Sequence, residues 1–194
     1  PLFNGRSLDG WKGDKQYWRV DNGSIVGEIP KGERLTKNHW LIWEEGTVEN
    51  FELRLQFRIS GNPKANSGIQ FRCQAEGINS VSGYQADLDK GAIWLGRIYD
   101  EHGRKLLVER GARVQIDRDG RRLEETFSKK EPFGVLFREN EWNDYRIVAC
   151  DEYVSVFVNG TLFSQLIDRE VGQRDLSGQL ALQLHSGGEM VVQF

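Results

Sequence analysis

The sequence predicts an all-β fold, a sandwich or jelly roll of two antiparallel sheets, on three observations. Short β-rich runs are separated by turn signals, "DNG" at 21–23, "RDG" at 118–120 and "VNG" at 158–160. Gly is plentiful at 22 residues while Pro is scarce at 4. Ten or more such runs follow one another without the helical segments that a βαβ fold would interleave, which leaves two packed sheets as the economical way to bury them.

The predicted strands run in order as "YWRV" at 17–20 with "SIVGE" at 24–28, "HWLIW" at 39–43 and "FELRLQFRI" at 51–59. They continue as "SGIQFRC" at 67–73, "GYQADLD" at 83–89, "AIWLGRIY" at 92–99, "WNDYRIVA" at 142–149, "YVSVFVNG" at 153–160, "QLALQLH" at 179–185 and "MVVQF" at 190–194. "FELRLQFRI" shows the logic most plainly: Phe51, Leu53, Leu55, Phe57 and Ile59 share one parity, and Glu52, Arg54, Gln56 and Arg58 the other. One face is core and the other is wet. Asn159-Gly160 supplies the positive φ of a tight hairpin. Only "RRLEETF" at 121–127 hints at a helix, inside a charged stretch, 103–140, that reads as a long excursion from the sheets. No fixed-period repeat points to a propeller or solenoid.

At 194 residues the chain is expected to form one domain, 1–194, with a core that needs no metal or disulfide staple. A net charge of -3, with 26 basic and 29 acidic residues interspersed, offers no basic stripe and argues against nucleic acid. Hydrophobic residues make up 38%, and six Trp, ten Phe and five Tyr carry the large apolar surfaces of a folded domain. No run of 18 apolar residues spans a membrane. Cys73 and Cys150 match no metal spacing and read as two buried free thiols, with a disulfide between them as the alternative. Both ends open abruptly in predicted structure and read as trimmed, with room for a leader removed upstream of Pro1. Nothing in the pattern specifies an oligomeric state.

The chemistry-bearing residues emerge from the same parity. In "GYQADLD", Tyr84, Ala86 and Leu88 join the core, which leaves Gln85, Asp87 and Asp89 opposite. In "SGIQFRC", Ile69, Phe71 and Cys73 fall together, with Gln70 and Arg72 opposite. In "QLALQLH", the leucines fall together, with Gln179, Gln183 and His185 opposite. These faces are Gln-rich and nearly free of Lys, unlike an ordinary solvated strand. Planar amides, Arg and Asp hydrogen-bond sugar hydroxyls, and Trp94, Tyr99 and Trp40 are available to stack on sugar rings. The bland alternative is a solvated sheet face. His185, before "SGG", taken alone reads first as a strand-end cap; Arg72 with Asp87 reads also as an inter-strand ion pair, and Asp100 with Glu101 as turn formers. Trp11, Trp18, Trp43 and Trp142 read as core or edge packing.

The chain carries no G-x-S-x-G elbow, P-loop or H-E-x-x-H. A sandwich glycosidase that uses two carboxylates often places them as E-x-D-x-x-E on one strand. "QADLD" at 85–89 has Gln where the first Glu belongs, which does not support ordinary two-carboxylate hydrolysis.

"LFNGRSLDGW" at 2–11, "SGIQFR" at 67–72, "GYQADLD" at 83–89, "IYDEHGR" at 98–104, "EWNDYRI" at 141–147, "VNG" at 158–160 and "LALQLHSGGEMVVQF" at 180–194, in that order, resemble the 3-keto-disaccharide hydrolase domain family. The resemblance implies a concanavalin A-like lectin/glucanase jelly roll, export from a bacterial cell to the periplasm or beyond, and cleavage of glycosides already oxidised to a ketone at C3. Because the ketone acidifies the C2 proton, a base removes it, the C1 aglycone leaves by elimination and water adds back. On this reading Asp87 or His185 is the base and Arg72 the positive group near the enolate. Gln85 and Gln183 are ring-hydroxyl partners, and Asp100 or Glu101 is a second acid-base or metal-facing group. Gln70, Trp94 and Tyr99 complete the expected substrate contacts. No cofactor is evident, although the carboxylates leave room for a divalent cation. The rival reading is a non-catalytic, lectin-like sugar-binding module of the same fold, and a third is a structural or adhesion domain.

Overall fold

Tight turns set the strand boundaries. Asn22-Gly23 and Asn159-Gly160 both take positive φ (48° and 77°, 48° and 79°), the two-residue geometry whose twist matches the flanking antiparallel strands. They join β2 (Trp18–Asp21) to β3 (Ser24–Ile29) and β13 (Tyr153–Val158) to β14 (Thr161–Asp168). The computed structural model describes residues 1–90, 93–129 and 131–194.

Two sheets face each other. The seven-stranded sheet has β1 (Trp11–Lys12), β4 (His39–Trp43), β15 (Gln179–Leu184), β6 (Asn66–Ala75), β7 (Val81–Asp89), β8 (Ile98–Glu101) and β9 (Lys105–Val108) in that spatial order. The nine-stranded sheet runs β11 (Arg122–Thr126), β10 (Ala112–Ile116), β14, β13, β12 (Asn143–Cys150), β5 (Phe51–Gly61), β16 (Met190–Gln193), β3, β2. Every pairing is antiparallel except β10 with β14, which makes this sheet mixed rather than purely antiparallel. Between the sheets, Ile69, Phe71, Tyr84, Ala86, Leu88, Leu180, Leu182 and Leu184 pack against Phe57, Ile59, Tyr145, Ile147, Val156 and Leu166. The parity read for β5, β7 and β15 is the observed one.

The charged excursion at 103–140 is instead structured. It supplies β9, β10 and β11 and a five-residue helix, Glu131–Val135. "RRLEETF" forms a strand, because Gly120 (φ 82°) turns it back onto β10, where Arg113 lies opposite Glu125 and pairs with it at 3.4 Å. A helix of that length could not repay its nucleation alone. Residues 161–168, unread as a strand, form β14. Of "AIWLGRIY", Ala92 lies outside the described residues and Ile93–Arg97 is a turned loop, so the strand begins at Ile98 and carries Asp100 and Glu101 within it.

A second departure is at β6. The register slips between Phe71 and Gln74, where Arg72 adopts φ 50°. The bulge reverses parity, so Cys73 leaves the inter-sheet core and joins Trp40, Ile42, Val81 and Ala181 in a small cluster on the opposite face. Burial raises its thiol to about 12. Cys150 is a free thiol but exposed, not buried as the sequence suggested.

Candidate functional site

Side chains of β6, β7, β8 and β15 that point away from the core floor a groove of about 560 Å³ on the outer face of the seven-stranded sheet. Gln85, Asp87, Asp89, Tyr99, Glu101, Gln183 and His185 line it, joined by Asn38, Asn66 and Lys64 and by a rim of Pro63, Ile93 and Trp94. Parity alone brought the polar residues to one face. Register makes them neighbours: Gln85 lies opposite both Gln70 and Tyr99, and Gly68 lies opposite both Asp87 and Gln183.

Gly68 matters because a Cβ there would stand 2.5 Å from Cδ of Gln85. The missing side chain is the space the Gln85 amide occupies. From that position a chain of amides fixes Asp87. Gln70 Nε2 donates to Gln85 Oε1 at 3.0 Å, and Gln85 Nε2 donates to Asp87 Oδ1 at 2.7 Å. Behind the strand, the hydroxyl of Tyr145 donates to the main-chain carbonyl of Asp87 at 3.0 Å. Asp87 Oδ2 and both amide atoms of Gln183 are buried with no hydrogen-bond partner among the described residues. Polar groups left in this state are costly in a resting fold, and these three atoms belong to residues that line the groove.

Burial is the main reason the Asp87 carboxyl is raised to about 8, with the Gln85 hydrogen bond and Arg97 opposing it and Asp89 and Glu101 adding to it. A carboxyl in that range exchanges protons near neutral pH, as a general acid-base group must. His185 Nδ1 lies 2.7 Å from the carbonyl oxygen of Ser186. A carbonyl only accepts, so Nδ1 carries the proton, and in the neutral ring Nε2 keeps its lone pair.

Three expected site residues lie elsewhere. Arg72 is 1% exposed and turned inward by the bulge: its Nε donates to the Glu49 carbonyl at 2.9 Å and Nη1 to the Asp151 carbonyl at 2.7 Å and the Asp175 carbonyl at 3.3 Å. It clamps loops of both sheets and forms no ion pair with Asp87. Asp100 has the opposite parity to Tyr99 and Glu101. It accepts from Arg104 at 2.8 Å, inside a cluster with Asp168, Glu170 and the hydroxyl of Tyr84. Trp40 is buried beside Cys73, out of reach of a ligand in the groove. Gln70 touches the site only through Gln85. Among the described residues no group of three or more His, Cys, Asp and Glu is arranged to hold a metal ion, and Asp89 spends both carboxylate oxygens on the amides of Ile93 and Leu95.

Sequence reasoning missed Asn38, Asn66, Lys64, Pro63 and Ile93. Asn66 precedes Gly68 and Gln70 at the same parity and was legible in principle. The others come from loops, which carry no periodic signal.

A family model described as the 3-keto-alpha-glucoside-1,2-lyase-like domain matches residues 1–194. The chain belongs to this family. Membership makes it one of a group of carbohydrate-active, glycosidase-like proteins, and the resemblance seen in the sequence motifs is the one the family model finds. Among solved structures, a Parabacteroides distasonis protein assigned as a glycosyl hydrolase superposes with a TM-score of 0.65 at 16% identity, over 100% of this chain and 94% of that one. The carbohydrate binding module CBM66 from Bacillus subtilis gives 0.62 at 14% identity, over 95% and 91% of the two chains. The Bacillus licheniformis β-glucanase gives 0.52 at 8% identity, over 99% and 92%. These likenesses establish the concanavalin A-like jelly roll. No curated protein matches the chain. Among the described residues, no helix is long and apolar enough to cross a membrane.

Proposed function

We propose that the protein cleaves glycosides already oxidised to a ketone at C3, with Asp87 as the base that takes the C2 proton. One observation carries the reading: a carboxylate enclosed at the groove floor, one oxygen held by Gln85 and the other without a partner among the described residues, its pKa raised to about 8.

The ketone lets the C2–H bond break. Asp87 accepts the proton, and the electron pair moves into a C2–C3 double bond as the C3 oxygen becomes an enolate. The enolate collapses, C3=O re-forms, a C1–C2 double bond appears, and the C1–O bond breaks with its electrons going to the aglycone. Glu101 or His185, both lining the groove, protonates the departing oxygen. Water then adds at C1 and a proton returns to C2, so the sum is hydrolysis. A base of raised pKa is stronger toward a carbon acid, and ionised Asp87 is present once the pH approaches 8. Arg72 cannot serve the enolate from its clamp between the loops. The Gln183 amide and Lys64, which lines the same groove, are the donors available to it. Gln85 and Tyr99 orient the ring.

The test is to incubate the protein with a 3-keto glucoside and with its unoxidised parent, with and without chelator, and follow aglycone release. Release from the keto form alone supports the reading, and Asp87→Asn should then lose at least 10²-fold in kcat. Loss on chelation would add a metal to the site. Full turnover by Asp87→Asn would remove Asp87 from the role. Binding of unoxidised sugar with no release from either compound would assign the groove to a lectin-like module.

A further inference from the structure

We infer that the Pro63–Ile93–Trp94 end of the groove is the aglycone subsite and takes a flat, apolar group such as an aryl ring, an inference that rests on the keto-glycoside reading above. Ile93 and Trp94 are 58% and 39% exposed, two adjacent large apolar side chains at the rim of a groove floored by amides and carboxylates.

They are held in place and not left to wander. Asp89 accepts from the Ile93 amide at 2.8 Å and the Leu95 amide at 2.9 Å, and Leu95 is sunk in the core. The Arg97 guanidinium lies 4.3 Å from the Trp94 ring centroid and is itself paired with Glu109 at 2.7 Å. Tyr99 meets the indole edge-on at 6.3 Å. An apolar platform ordered in advance loses little side-chain freedom when a ligand covers it.

Polar capacity is distributed the other way. On the rim side, Asp89 has both oxygens committed to the loop, and the other polar groove residues there are Lys64, Asn66 and, on β8, Tyr99 and Glu101, none of them an amide with both atoms buried and unpaired among the described residues. Across the groove, Gln183 has both amide atoms without partners among the described residues and stands with Asn38 and His185. A sugar ring loses water at each hydroxyl on binding and needs replacements for it, so it belongs at the amide end. The rim suits a group with few hydroxyls. A volume of about 560 Å³ accommodates both.

The experiment compares kcat/KM of the full chain on 4-nitrophenyl 3-keto-glucosides, both anomers, with that on 3-keto disaccharides. The wild type should favour the aryl compound, and Trp94→Ala and Ile93→Ser should lower the aryl-to-disaccharide ratio at least tenfold. A wild-type preference for disaccharides, or an unchanged ratio in both variants, overturns the inference. If no keto-glycoside is turned over, the chemistry above fails separately, and calorimetry still judges the rim. Tighter binding of phenyl than of methyl glucoside, lost in Trp94→Ala, supports it, and equal binding of the two sinks it.

Discussion

At the scale of single residues, Asp87 sets function against stability. Its folded pKa of about 8 stands above the ordinary carboxyl value of 3.8, so between those limits the folded protein holds a proton that the unfolded chain has released. Folding stability therefore falls as pH rises through that window. Asp87→Asn does not titrate. It should be more stable than the wild type by on the order of a few kcal/mol at pH 8 and above, which raises Tm by roughly 10 °C, with the advantage shrinking toward pH 4. Thermal melts of both proteins from pH 4 to 9 check this, and parallel curves would contradict it. Gln85 acts on the same group in the opposite sense, since its hydrogen bond favours the ionised form. Gln85→Leu should push the Asp87 pKa further up by roughly one pH unit, read as a carboxyl titration by carbon NMR and as an alkaline displacement of the acid limb of kcat/KM. A mere packing role for Gln85 would move neither.

At the scale of elements, β6 shows how one residue can redirect a strand. Its alternation from Ser67 to Phe71 is the one the hydrophobic pattern announces, with Gly68 and Gln70 on the groove side. At Arg72 the backbone turns into the left-handed region and the remaining residues change face. The guanidinium that parity assigned to the groove instead ties the loop before β5, the β12–β13 turn and the loop before β15. Arg72→Met should cost about 2–4 kcal/mol in urea denaturation, because buried carbonyls lose their donors, while turnover per folded molecule stays near that of the wild type. A large loss of kcat without loss of stability would return Arg72 to catalysis. The "RRLEETF" segment makes the complementary point. Its weak helical pattern gives way to a turn glycine and a partner strand, which no local periodicity reports.

At the scale of the whole molecule, Arg104 links the two sheets. It pairs with Asp100 of the seven-stranded sheet at 2.8 Å, with Asp168 of the nine-stranded sheet at 2.7 Å and with Glu170 at 2.8 Å. The Tyr84 hydroxyl donates to the same Asp168 carboxylate at 2.5 Å. Arg104→Met would leave two buried carboxylates without their cation and should cost about 3–5 kcal/mol, measured by urea denaturation. A loss under 1 kcal/mol would show that the pairs merely balance their own desolvation.

The sequence by itself determined the all-β class, most of the strands, the faces of β5, β7 and β15, and the Gln85–Asp87–Gln183–His185 set. Those features follow from period-two alternation and turn chemistry, which are local and written in consecutive residues. The motifs also identified the family, because their order along the chain is itself sequence information. Only the tertiary structure decided that Arg72 and Asp100 leave the groove, that Gln70 reaches it through Gln85, and that Lys64, Asn38 and Ile93 enter it. These outcomes depend on a bulge, on inter-strand register and on loops from distant parts of the chain. Alternation says which side of a sheet a residue faces, but only packing says what stands beside it.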